Sequence, residues 1–159
     1  MQTFLRSIEI LTLGLWLGSD VFLSFVVAPG AFRILATRDQ AGAMVGFALW
    51  WMHMIGVICG VCFLSSRLLR TRSLSGVTAP AALCVLLMIC LTVVSQHAVS
   101  PKMAALRVQM GSIQATAADS PVLAEFSRLH RLSVSLESGV LLAGLLAMYL
   151  AVKELRVGQ

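Results

Sequence analysis

The sequence predicts an all-α fold: an integral membrane four-helix bundle with a helical hairpin extension between helices 3 and 4. Three observations lead there. First, 58% of the 159 residues are hydrophobic and only 12% are charged, with a mean hydropathy of +0.91. That balance leaves too little polar surface to cover a soluble domain. Second, four continuous apolar stretches each approach or exceed the roughly 20 helical residues needed to cross about 30 Å of hydrocarbon. Third, those stretches lack the period-2 alternation of barrel strands, so helices must satisfy the backbone in lipid.

Helix 1 is expected over Ile8 to Pro29. It follows Arg6 and carries "VVA" before Pro29, as a secretory signal would. Its apolar run is too long for a signal core and it contains Asp20, so it is read as a retained span. Helix 2, Ala43 to Ser65, includes "CGVC" at 59–62, and the other two cysteines, Cys84 and Cys90, fall in helix 3, Val77 to Val99. A redox role for CxxC needs a thioredoxin-like setting that is missing here, and the four thiols are read as buried and inert.

Helix 4 spans Leu132 to Val152. The segment before it, Ser100 to Arg131, is too long for a turn, and "SPKMAALRVQM" and "DSPVLAEF" each place proline after serine, a favoured helix start. Helices 3 and 4 are therefore expected to continue past the membrane as a hairpin with its tip near "ATAADS". From Pro121 to Val152 the fourth helix would be about 48 Å long, so one end must project into water. Glycine pairs at 14 and 18, 42 and 46, and 56 and 60 suit close helix packing. With no internal repeat, residues 1–159 are read as a single transmembrane domain.

The net charge of +5 is scattered over loops, with no block dense enough for nucleic acid, which leaves membrane lipid as the evident partner. Six basic residues (Arg6, Arg67, Arg70, Arg72, Lys153 and Arg156) fall on one side and six on the other. The short loop "RLLRTRSLSG" has three arginines and no acid, which favours both termini in the cytoplasm of a multi-pass bacterial inner-membrane protein.

Asp20, His53 and Glu137 are the ionisable residues well inside a span. Such groups cost about 2.5 to 3.5 kcal/mol on insertion scales and face a bundle interior, so a functional site is the default reading. Counting helical rise from one membrane face puts them at depths of about 13, 15 and 9 Å, which lets all three meet. His130 and Glu137 are seven residues apart and share a helix face, and His97 ends helix 3 on the same side. The pattern reads as a polar funnel, with His97 and His130 at the mouth and the other three deeper. Packing alone remains an alternative for each residue taken singly.

"GLWLGSDVFLSFVVAPGAF", "LWWMH", "VSPKMAALR" and "FSRLHRLSVSLESG" together resemble the family of human transmembrane protein 205, whose bacterial members form a membrane domain of unknown function. Trp16, Gly18, Phe25, His53, Pro101, Arg107, Phe126, His130 and Ser133 match the family pattern, whereas Glu137 stands where other members often carry asparagine. The resemblance implies a distant relation to copper-resistance-D-like four-helix proteins and to a haem-dependent oxidase group.

Two functions follow as expectations. The first is a metal ion or haem b held in the bundle. Asp20, His53, His97, His130 and Glu137 offer imidazole and carboxylate ligands suited to Zn, Fe or Mn. His53 and His130 could serve haem, with Arg107, Arg128 and Arg131 near the mouth to pair its propionates. The second is a small cation- or proton-coupled transporter or accessory protein without cofactor, for which four spans imply a homo-oligomer. A scaffold role is the third and plainest reading. No nucleophile with a base and no phosphate loop is visible, which argues against hydrolase or kinase chemistry.

Overall fold

The computed structural model describes residues 1–157. Six α-helices build it: α1 (Gln2–Phe22), α2 (Ala28–Ile34), α3 (Arg38–Thr71), α4 (Pro80–Val94), α5 (Ser100–Met110) and α6 (Pro121–Val157). Short π-helical segments join α1 to α2 and α4 to α5, so the apolar crossings are four: Gln2–Ile34, Arg38–Thr71, Pro80–Met110 and Pro121–Glu154. The protein is an all-α, multi-pass membrane bundle, and each crossing extends further at one or both ends than its hydrophobic stretch. The expected hairpin is α5 against the start of α6, with its connection at residues 111–120.

Local chemistry sets the helix ends. Thr37 caps α3 by accepting from the Gln40 amide at 3.1 Å. Pro80 occupies the first turn of α4, where its missing N–H costs nothing. Gly111, at φ 67°, ends α5 in a conformation that needs no Cβ.

Pro29 and Pro101 do not end their helices. Each lies two residues beyond a π segment, Leu23–Val27 and Ser95–Val99. Wide-turn bonds close these segments, from the Ala28 N–H to the Leu23 carbonyl and from the Ser100 N–H to the Ser95 carbonyl. The wider turn takes in one extra residue where the proline ring would otherwise meet the preceding carbonyls. Reading Pro29 as a terminus missed this adjustment.

Helix α1 packs on α3 and α6, and α4 packs on the same two. The ring order is therefore α1, α3, α4, α6, with α3 and α6 facing each other across the diagonal. Trp16 is the largest fully buried side chain, and its indole lies on the bare backbone of α3, where a Cβ at Gly56 would stand 2.4 Å from Nε1. Leu13, Phe63, Val85, Met88 and Val140 complete this layer. Along α6 the buried positions Phe126, Leu129, Ser133, Val140, Ala143 and Ala147 follow a heptad seam. A second apolar cluster, Val99, Met103, Phe126 and Leu129, closes the hairpin end.

Leu11, Leu15, Phe22, Phe25, Phe47, Ile58, Leu142 and Leu145 point outward, as contact with lipid tails requires. Of the cysteines all are free, and only Cys59 is buried; Cys62 and Cys90 face outward, which corrects the expectation of four buried thiols.

The end of the bundle that carries the N-terminus is tied by charge. Glu9 is buried and accepts from Arg70 Nε at 2.7 Å and Nη2 at 3.3 Å and from Arg67 Nη1 at 3.5 Å. Arg67 also donates to Glu154 and to the Gly76 carbonyl at 3.0 Å, and it lies over the Phe63 ring. The Arg156 side chain lies outside the described residues.

Candidate functional site

Near the middle of the bundle, the Trp16 layer gives way to polar side chains from all four crossings. His53 is completely buried on α3. Its Nε2 lies 2.7 Å from Glu137 Oε1 on α6, and its Nδ1 lies 2.8 Å from Gln96 Oε1 in the second π segment. Ser95 Oγ donates to the same Glu137 oxygen at 3.1 Å. Asp20, at 1% exposure on α1, accepts from Ser24 at 3.3 Å and lies within electrostatic reach of Glu137 and His53.

The local folding explains the placement. Ser24 belongs to one π segment, and Ser95 and Gln96 to the other, so both wide turns sit beside the polar centre. On α6, Glu137 and His130 both flank the heptad seam, but the seam residues beside His130 are Phe126 and Leu129, which turn inward to fill the hairpin core. His130 is left exposed, whereas Glu137, beside buried Ser133 and Val140, reaches across the diagonal.

Both partners of the His53 ring are oxygens in this amide orientation. Two protonation states satisfy the geometry: an imidazolium donating to Gln96 and to a Glu137 carboxylate, or a neutral ring donating to Gln96 while a protonated Glu137 donates to Nε2. They contain the same number of protons and differ only in which side of a 2.7 Å gap holds one. The pair is neutral overall in either state, which limits the cost of burying it.

Four buried polar atoms nearby have no partner among the described residues: Trp16 Nε1, Asp20 Oδ2, Thr92 Oγ1 and Glu137 Oε2. Two can donate and three can accept, and ordered water can satisfy each.

Of the expected site residues, Asp20, His53 and Glu137 come together. His97 and His130 are exposed, as are Arg128 and Arg131. Arg128 pairs with Glu125 at 2.9 Å. Arg107 lies over the Phe126 ring, with its guanidinium against Gly42 and Gly46. The arrangement does not fit haem b: neither ring nitrogen of His53 is free for iron, and His130 is about 10 Å along α6 from the residue His53 touches. Among the described residues, no three His, Cys, Asp or Glu side chains are grouped so as to hold one metal ion.

Gln96 and Ser95 were not singled out in the sequence, because a neutral amide and a hydroxyl near a helix end are unremarkable there. Their one signal is position, beside His97 and just before Pro101.

No curated protein and no solved structure matches the chain. The model of a family described as Domain of unknown function (DUF4149) matches residues 11–112, more than half of the chain. The match takes in Asp20, His53, Ser95, Gln96 and Arg107, and ends before Glu137. The chain, a four-span integral membrane protein, belongs to the DUF4149 family.

Proposed function

We propose that this protein exchanges protons or small cations within the membrane through Asp20, His53 and Glu137, without a haem. The observation that carries this reading is the 2.7 Å contact between His53 and Glu137 across the bundle diagonal. Ionisable groups at this depth are costly, and a proton shared between them is a common way for membrane proteins to use them. Asp20 supplies a second buried carboxylate, one of whose oxygens has no hydrogen-bond partner among the described residues. Placement in a bacterial inner membrane with both termini in the cytoplasm is part of the proposal. So is a homo-oligomer, since four spans are few for a monomeric transporter.

The test is proton flux into liposomes that contain purified protein and a pH-sensitive dye, driven by an imposed potassium diffusion potential. Wild-type protein is expected to acidify the lumen at least about tenfold faster than Glu137→Gln, on the scale of general acid–base contributions. Wild-type flux no greater than that of protein-free liposomes would overturn the reading.

A metal ion is the second reading, favoured by the two unpartnered oxygens, Asp20 Oδ2 and Glu137 Oε2. Elemental analysis of protein purified from its native membrane decides it. One ion per chain, lost in Asp20→Asn, supports this reading; metal-free wild type removes it.

A further inference from the structure

The ion-paired end of the bundle has a cleft that none of its own pairs fills. Its volume is about 60 Å³, and Arg6, Glu9, Ile10, Arg70, Ala151 and Glu154 line it. That is room for more than a single water. We propose that this cleft binds a phosphoester anion, the headgroup phosphate of an anionic phospholipid, between Arg6 and Arg70.

Charge and unused donors carry the argument. Glu9 accepts three hydrogen bonds from Arg67 and Arg70, and Glu154 accepts from Arg67. Arg67 is buried, does not line the cleft, and pairs with both acids and the Gly76 carbonyl. Arg70 spends Nε and Nη2 on Glu9, so its Nη1 makes no hydrogen bond among the described residues. Arg6 forms no hydrogen bond or ion pair among the described residues at all. Counting the three arginines against the two glutamates leaves a surplus of one positive charge, and it resides on the unpaired guanidinium lining the cleft.

Place and shape point to lipid. Arg6 and Glu9 are on the first turns of α1, Arg70 is one residue from the end of α3, and Ala151 and Glu154 close the fourth crossing. The cleft therefore lies where apolar crossing gives way to charged helix ends, the level of lipid phosphates. Two guanidinium groups offer the forked donors that suit phosphate oxygens. Arg70 is held from behind, because its carbonyl accepts from Gln2 Nε2 at 3.2 Å and Glu9 grips its fork, so little freedom is lost on binding. The second oxygen of Glu154 remains an acceptor beside the phosphate position, suited to a headgroup hydroxyl.

The experiment uses full-length protein in nanodiscs and native mass spectrometry, with phosphatidylglycerol titrated against a phosphatidylcholine background. Wild type is expected to retain one phosphatidylglycerol per chain, and Arg6→Ala to bind it about fivefold more weakly, the size of one basic residue's contribution at a membrane surface. Arg6 takes part in none of the observed ion pairs, so the variant is expected to fold; the exposed Arg72→Ala serves as the control and should bind like wild type. Equal binding by wild type and Arg6→Ala would overturn the site, and so would equal weakening by Arg6→Ala and Arg72→Ala. A final arm adds millimolar inorganic phosphate. Displacement of the lipid in wild type assigns the cleft to soluble phosphoesters instead, and retention of the lipid supports the headgroup.

Discussion

His53 Nε2 and Glu137 Oε1 lie 2.7 Å apart, although they belong to α3 and α6, which face each other diagonally and share few other contacts. Two helices whose backbones do not approach closely are thus linked by the Arg67–Glu154 pair nearer the N-terminus and by this hydrogen bond. Gln96 and Ser95 hold its two ends, and Asp20 borders it on the remaining side.

Replacing Glu137 tests that bond directly. Glu137→Leu leaves the His53 ring nitrogen and the Ser95 hydroxyl without a partner and should cost about 1–3 kcal/mol in detergent unfolding. Glu137→Gln keeps an oxygen within reach of the ring and should cost clearly less. Glu137→Asn, one methylene shorter than glutamine, should behave more like leucine.

The Trp16 slot should tolerate no side chain. A Cβ at Gly56 would lie 2.4 Å from Trp16 Nε1, and one at Gly60 would lie 2.8 Å from the same indole. Gly56→Ala is expected to destabilise the bundle by about 1–3 kcal/mol, as overpacking does. Trp16→Phe in the same chain should recover part of that loss, measured as the midpoint of thermal unfolding in one detergent.

Arg67 holds two acids and a carbonyl, so removing it exposes a buried charge imbalance. Arg67→Met should cost about 3 kcal/mol, and the double variant Arg67→Met with Glu9→Gln should cost less than the sum of the singles. Strict additivity in denaturant titrations would mean that the cluster does not act as a unit.

Asp39 fastens the hairpin connection to the start of α3. Its carboxylate accepts from Ser112 Oγ at 2.7 Å and from the Ile113 amide at 2.9 Å. In Asp39→Ala, hydrogen exchange at Ile113 should quicken while the amides around Trp16 keep wild-type rates. Unchanged exchange at Ile113 would show that other contacts hold the connection.

The four crossings were legible because burying a backbone in lipid demands long apolar helices, and little else in a sequence imitates them. Depth counting was enough to bring Asp20, His53 and Glu137 to one level. It could not show that His130, on the same helix flank as Glu137, would be turned outward, because that depends on Phe126 and Leu129 filling the hairpin core. Glu9 was not singled out, and Arg67 was only counted among the basic residues on one side of the membrane. Each was visible as a charge one or two residues from an apolar boundary, but pairing them needed the helix order. The wide turns before Pro29 and Pro101 were hidden because a proline ordinarily signals a break, and only tertiary packing decides whether the helix continues.

Those wide turns set how the chain can change in length. A π segment takes in one residue more than an α-turn would, and the helix beyond it keeps its facing. Removing a single residue from Leu23–Val27 or Ser95–Val99 would therefore leave downstream side chains aimed as before. A deletion elsewhere in a crossing would swing everything after it by about 100°. The first and third crossings each contain one place where the protein can lose a residue without turning its lipid-facing side inward.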